Sequence, residues 1–60
     1  MAARIWESSR EEAQAAALNA QAHRCRRLAD ATYNREMADM LRLMAEDYER
    51  SAAELLQKRA

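Results

Sequence analysis

The segment DATYNRE at residues 30–36 decides the fold, because it separates two stretches with readable helical spacing. Asp30, Thr32 and Asn34 have short polar side chains that compete with the backbone for hydrogen bonds, and such residues favour turns and helix caps. Asn34 is the better N-cap for a second helix, because Glu36 then falls in the first turn, where a negative charge complements the helix dipole. Thr32 is the alternative cap. The segment therefore predicts a chain reversal between two helices.

The composition indicates the all-α class. The 60 residues include no glycine and no proline, the usual turn residues of β-structure, whereas strong helix formers such as alanine, arginine and glutamate dominate. Half of the residues are apolar, but fifteen of these thirty are alanine. Because alanine contributes little to burial, we expect a core too thin to stabilise so short a chain without a partner.

Two helices of similar length are predicted on either side of the turn. Ser8 and Ser9 are each followed three residues later by a glutamate, which is the capping-box spacing of a helix start. We therefore predict a first helix over about residues 9–31 and a second over about 35–58, with residues 1–7 as a loose lead-in. A short connector forces the helices to pack antiparallel, so residues 1–60 form a single helical-hairpin domain.

The second helix has the clearer apolar stripe. Its apolar residues follow one another at steps of four, three, four, four and three: Met37, Leu41, Met44, Tyr48, Ala52 and Leu55. The steps repeat every 11 residues, a period that predicts a straight or slightly right-handed pairing.

The first helix presents smaller side chains. One side carries Leu18, Ala22, Cys25, Leu28 and Ala29, and an alanine surface beside it comprises Ala13, Ala17 and Ala20. Folding back about residue 32 is expected to place Leu28 near Met37, Cys25 near Met40 and Leu41, and the alanine surface near Tyr48 and Ala52. Large side chains then oppose small ones, as close packing requires.

Three further apolar residues of the second helix, Met40, Leu43 and Leu56, lie outside a stripe that one partner helix can cover. A second copy of the chain is the simplest cover, and it would complete a four-helix bundle. Trp6 is either a further interface anchor or packs locally against an earlier start of the first helix. The predicted protein-interface residues are Trp6, Leu18, Met37, Met40, Leu41, Leu43, Met44, Tyr48, Leu55 and Leu56.

No catalytic, cofactor or metal site is predicted. His23 and Cys25 are two residues apart on a helix and point to different sides, so they form neither a chelate nor a nucleophile–base pair. The spacing of Met37, Met40 and Met44 suits thioether ligands of Cu(I), but it is equally that of a packing stripe, which we prefer.

Charge and cysteine content limit the classes of partner and the cell compartment that we expect. Ten basic residues balance ten acidic ones, so no general attraction to nucleic acid or to anionic membranes is expected. The longest stretch without a charge or histidine, residues 13–22, is only ten residues, far short of the ~20 of a membrane span. The single cysteine excludes an intrachain disulfide, and we expect a cytoplasmic protein.

Parts of the sequence are similar to a group of small bacterial helical-hairpin proteins with no assigned function. The similar positions span about residues 22–56 and comprise Cys25-Arg26-Arg27-Leu28-Ala29, the connector Thr32-Tyr33-Asn34, and Leu41, Met44-Ala45, Tyr48 and Ala52. In that group the second helix usually opens with Asp-Pro-Glu, where this chain has Asn34-Arg35-Glu36 and lacks the proline. The resemblance implies a helical hairpin and no particular reaction, cofactor or partner.

These observations lead to three functional hypotheses. The first is a non-catalytic module that associates with itself, as a homodimer or a higher oligomer. The second is an accessory subunit that docks its methionine-rich helix face onto a larger protein. The third, from another class, is a small regulator that binds nucleic acid through the basic cluster His23–Arg27, which we rank lower because the cluster has no stacking aromatic.

Overall fold

A computed structural model of the chain describes the backbone of residues 2–58 and the side chains of residues 9–57. It contains an α-helix α1, Ala2–Ala31, a connector of three residues, and an α-helix α2, Arg35–Lys58. The two helices pack against each other as a hairpin. The predicted all-α hairpin is therefore confirmed, and so are the end of the first helix and the start of the second, which is helical to Lys58, the last residue described.

The start of α1 differs from the prediction. The helix begins at Ala2 and continues through Ser8 and Ser9, so the lead-in predicted for residues 1–7 is helical over residues 2–7. The reason lies in helix propensity, because the segment before Ser8 contains strong helix formers and no residue that stops a helix. A capping-box spacing permits a helix start, but it does not prevent a helix from passing through.

The turn forms as its polar side chains predict. The backbone N–H of Met37 donates to Oδ1 of Asn34 at 3.0 Å, which makes Asn34 the N-cap of α2. The backbone N–H of Asn34 in turn donates to Oγ1 of Thr32 at 3.2 Å. Thr32 also continues the backbone pattern of α1 through a hydrogen bond from its N–H to the carbonyl of Leu28, at 3.0 Å. Both side chains thus satisfy backbone groups that a helix end or turn leaves unpaired.

Removing this cap gives a first testable expectation. Asn34→Ala leaves the Met37 N–H without its side-chain acceptor, and we expect the free energy of unfolding to fall by ~1 kcal/mol. Thermal unfolding followed by circular dichroism measures the loss. Asn19→Ala, in the middle of α1, is the matched control and is expected to be neutral or slightly stabilising, because alanine is the better helix former. A control variant that lost as much stability as Asn34→Ala would contradict the capping role.

The two helices meet along a seam of small residues. The buried side chains are Ala15, Ala22, Cys25 and Ala29 in α1, and Ala38, Ala45 and Ala52 in α2. On each helix the alanines recur every seven residues, and the seam positions between them are filled by Leu18 and Cys25 in α1 and by Leu41, Tyr48 and Leu55 in α2. A seven-residue repeat is the spacing of a left-handed coiled coil. The buried and half-buried positions of α2 therefore follow a seven-residue repeat and not the predicted 11-residue period, whereas the straight or slightly right-handed pairing stays a prediction.

Two methionines and several residues of α1 lie outside the helix contact in which they were expected. Met37 and Met44 were predicted in the stripe, but their side chains are 49% and 43% exposed. In α1, Leu28 and the alanine surface Ala13, Ala17 and Ala20 are exposed, and Ala15 is buried in their place. Leu41 packs against the cluster of Ala22, Cys25 and Ala45, as expected for a residue near Cys25, whereas Met40 is exposed and lies outside that cluster. The buried seam positions are occupied by small residues, because only small side chains at every seventh position allow the two helices to approach closely.

Among the described side chains of α1, the seam position furthest from the turn is occupied by a charged residue. Glu11 occupies the seam position four residues before Ala15, and its Oε2 atom is buried without a hydrogen-bond partner among the described residues. Burying such an oxygen is unfavourable. Within the described side chains, the apolar part of the seam therefore runs from Ala15 to the turn.

Candidate protein interface

The hairpin has two broad faces of different chemistry, one on each side of the seam. The residues that flank the seam on one side form what we term the charged face: Glu12, Asn19 and Arg26 in α1, and Arg42, Glu49 and Leu56 in α2. Those on the other side form what we term the methionine face: Gln14, Gln21 and Leu28 in α1, and Met37, Met44 and Ser51 in α2. Four of six positions are charged on the first face, and none of the six is charged on the second.

On the charged face, ion pairs across the seam connect the two helices. The Arg26 guanidinium donates two hydrogen bonds to the Glu49 carboxylate, from Nη1 to Oε2 and from Nη2 to Oε1, the latter at 2.9 Å. Arg42 lies nearer the turn and contacts Asp30 at 3.4 Å. The hydrogen bonds from Arg26 lower the pKa of Glu49 below its ordinary value of 4.5 and raise the pKa of Arg26. These charges are therefore paired within one chain.

The lowered pKa of Glu49 predicts a small acid sensitivity. The ion pair stabilises the hairpin at pH values above the ordinary carboxyl pKa, and this contribution is lost as the pH falls through the lowered pKa of Glu49. We expect Glu49→Gln to melt slightly below the wild type at neutral pH and to show a smaller decrease on acidification. Thermal unfolding at neutral pH and below the pKa of Glu49 measures both. The control is Glu46→Gln, on the outer side of α2, and a control with the same reduced acid sensitivity would contradict the assignment to Glu49.

The methionine face contains shallow grooves instead of ion pairs. One groove of about 540 Å³ is lined by polar and apolar residues of both helices: Gln14, Ala17, Leu18, Ser51, Glu54 and Leu55. A second groove of about 330 Å³ continues it towards the turn and is lined by Leu18, Met44, Asp47, Tyr48 and Ser51. Half-buried side chains of the seam line both grooves, so an apolar partner placed on this face would contact the seam directly.

The predicted interface residues divide into two groups. Leu18, Leu41, Tyr48 and Leu55 lie half-buried along the seam, where they pack the two helices together. Met37, Met40, Leu43, Met44 and Leu56 are exposed large hydrophobic side chains. The structure brings Met37, Met40 and Met44 to the methionine face or its edge, whereas Leu56 lies on the charged face and Leu43 on the outer side of α2.

Two aromatic residues stand apart from these groups. Tyr33 lies in the connector with a fully exposed side chain. Trp6 lies within α1, which does begin earlier than predicted, but its side chain is outside the described side chains. Its predicted role as an interface anchor or a local packing residue stays a prediction.

The basic cluster His23–Arg27 is divided between surfaces. Arg26 is on the charged face and is engaged by Glu49. His23, Arg24 and Arg27 line a separate shallow pocket with Ala20 and Leu28 on the outer side of α1. Cys25 is buried in the seam as a free thiol. His23 and Cys25 therefore do not share a surface, and within the described residues no group of three or more histidine, cysteine or acidic side chains is placed to hold a metal ion.

Within the described residues, neither helix combines the length and apolar character that crossing a bilayer requires. Comparisons with protein-family models, with curated proteins and with solved structures find no match to this chain.

Proposed function

We propose that this chain is a non-catalytic helical module that associates with itself, two hairpins forming a four-helix bundle. The observation that carries the proposal is the distribution of side-chain size. The seam buries alanine and one cysteine, with no large side chain fully buried among the described residues, while Met37, Met40 and Met44 stay substantially exposed. More of the large apolar side chains described are therefore exposed than lie in the seam.

The free energies of burial and of backbone ordering favour an association that contributes to folding. Burying one alanine methyl is worth about 0.8 kcal/mol, whereas ordering the backbone of one residue costs ~1–2 kcal/mol. Covering a methionine or leucine side chain contributes ~1.5–3 kcal/mol. A second hairpin on the methionine face would cover several such side chains at once. We therefore expect the association to supply stability that the alanine seam lacks.

Light scattering after size-exclusion chromatography tests the proposal. We expect the purified chain at micromolar concentration to have at least twice the monomer mass of 6.9 kDa. A fully helical chain with the monomer mass would contradict self-association. A poorly helical monomer that becomes helical only with another protein would instead support the accessory-subunit hypothesis.

The same sample tests the nucleic-acid hypothesis. With Arg26 engaged by Glu49 and a formal net charge of zero, we expect no retention on DNA at moderate salt. Retention that falls with added salt and is lost in Arg24→Ala and Arg27→Ala would favour a nucleic-acid regulator.

A further inference from the structure

The edges of the methionine face carry a charge pattern that points to one arrangement of two copies. Beyond the residues that flank the seam, the next residues outward are Ala17, Arg24 and Ala31 in α1, and Met40, Asp47 and Glu54 in α2. Ala17, Asp47 and Glu54 line the two grooves of this face, and Arg24 lines the pocket beside Leu28. Each edge repeats every seven residues, so it forms a row parallel to the seam.

The two rows are level with each other across the hairpin. The turn at residues 32–34 separates Ala31 from Met40, and one repeat further from the turn are Arg24 and Asp47. Two ion pairs define the relative height of the two helices independently, since Arg26 contacts Glu49 and Asp30 contacts Arg42. With the helices at this relative height, Arg24 and Asp47 lie within about one helical turn, ~5.4 Å, of each other along the hairpin axis.

We propose that a second copy of this chain covers the methionine face, related by a twofold axis parallel to the helices, with Arg24 of each copy paired with Asp47 of the other. This inference rests on the self-association proposed above and specifies its geometry. The axis places α1 of one copy on α2 of the other at equal height, with both turns at the same end. Ala31 then faces Met40, Arg24 faces Asp47 and Ala17 faces Glu54. Small side chains oppose large ones, and opposite charges oppose each other.

Arg24 is available for such a pair. It has no acidic partner among the described residues, unlike Arg26 and Arg42, which bind carboxylates of their own chain. Asp47 contacts Arg50 at 3.3 Å and also lines the second groove. A carboxylate accepts more than one charged donor, so Asp47 of one copy can bind Arg24 of the second while retaining Arg50.

The alternative antiparallel stacking is less complementary. A twofold axis perpendicular to the helices places α2 on α2 of the second copy, with the turns at opposite ends. At full overlap the midpoint of Arg35–Lys58 lies on that axis, and Asp47 is at this midpoint. Asp47 would then oppose Asp47 of the second copy, and like charges in an interface are unfavourable.

The size of the face agrees with a stable dimer. α2 is the shorter helix, with 24 residues and a length of ~36 Å, and the Cα trace extends 15 Å across the hairpin. Side chains widen this two-helix face further, so its area approaches the ~800 Å² that each partner contributes to an interface of standard size.

Charge reversal at the two edge positions tests the arrangement. Arg24→Asp places a second carboxylate against Asp47 at both symmetry-related sites of a homodimer, and Asp47→Arg places two guanidinium groups at each site. We expect each variant to raise the dimer Kd by about tenfold or more, with a smaller effect at high salt. Mixing the two variants allows heterodimers in which one of the two sites pairs the introduced arginine with the introduced aspartate.

Each heterodimer in the mixture contains two symmetry-related sites, and the two sites hold different residue pairs. At one site the introduced Asp of the first variant faces the introduced Arg of the second, and at the other site the unchanged Arg24 and Asp47 face each other. Both sites therefore pair opposite charges, and we expect the heterodimer to form with a Kd near that of the wild type. Arg27→Asp, on the outer side of α1, is the matched control and should leave the Kd within a factor of about two.

The outcomes separate this inference from the function on which it rests. Sedimentation equilibrium gives the Kd of each variant and of the mixture. A wild-type dimer that tolerates both reversals, or reversals that mixing does not rescue, would overturn the Arg24–Asp47 arrangement and leave self-association standing. A wild type that stays monomeric at every concentration would overturn both.

Discussion

Ala45→Leu should lower the stability of this protein more than any other single substitution in the seam. Ala45 is 0% exposed and lies in the cluster with Ala22 and Cys25, where the two helices approach each other. A leucine at this position forces the helices apart and removes contacts on both sides of it. Overpacking of this kind costs ~1–3 kcal/mol, and in a domain this small each kcal/mol lowers Tm by about 4–8 °C.

The matched control for this substitution is Ala53→Leu. Ala53 is exposed on the outer side of α2, so leucine there changes side-chain size without entering the seam. We expect its Tm to stay close to that of the wild type, measured by circular dichroism at one fixed chain concentration because association shifts Tm. If Ala45→Leu melted at or above the wild-type temperature, the close alanine contact would not be what positions the helices.

Met44→Glu should have the largest effect on association. Met44 flanks the seam on the methionine face and lines the second groove, and its side chain is 43% exposed in the single hairpin. Glutamate is a good helix former that can extend into solvent in a monomer, but burial under a second copy would strip water from its charge. We expect the dimer Kd to rise on the order of a hundredfold, which corresponds to ~2.7 kcal/mol.

Leu43→Glu provides the comparison at the neighbouring position. Leu43 is 61% exposed and lies on the outer side of α2, so its replacement removes exposed apolar surface without touching the methionine face. We expect its Kd to match the wild type. Equal weakening by Leu43→Glu and Met44→Glu would mean that the covered surface extends around α2 and is not confined to the methionine face. Sedimentation equilibrium of the three proteins distinguishes these results.

The hairpin itself could be predicted from local chemistry. Asn34 had the side chain, the following Glu36 and the spacing of an N-cap, and its carbonyl oxygen Oδ1 accepts the Met37 N–H as those features require. The missing glycine and proline argued against tight β-turns, and a few polar residues were enough to end one helix and start the next. These are short-range effects, so they are encoded in a few adjacent residues.

The positions of the large apolar residues do not predict the seam. Met37, Leu41 and Met44 indicate an 11-residue period only when methionine is weighted above alanine. The signal was present as alanine at every seventh residue, at positions 15, 22 and 29 and again at 38, 45 and 52. Close helix approach depends on small size, and size is a property of the pair of helices that hydrophobicity along one helix does not measure.

The start of α1 and the role of individual charges also lay beyond the sequence pattern. Ser8 and Ser9 fit a cap as well as a helix interior, and helix propensity upstream decided between them. The cluster His23–Arg27 is contiguous in sequence, but helical geometry separates Arg26 from Arg24, one towards Glu49 and the other towards the edge of the methionine face. Only the seam positions reveal which side each arginine occupies.

Association and helix formation should be linked in this protein, and a dilution series tests that link most directly. Molar mass by light scattering and helicity by circular dichroism are measured on the same samples from high to low micromolar concentration. We predict a dimer or a higher closed oligomer whose mass and helicity fall together on dilution, because the methionine face loses its cover as the copies separate. A monomer mass with constant, full helicity over the whole series would contradict it.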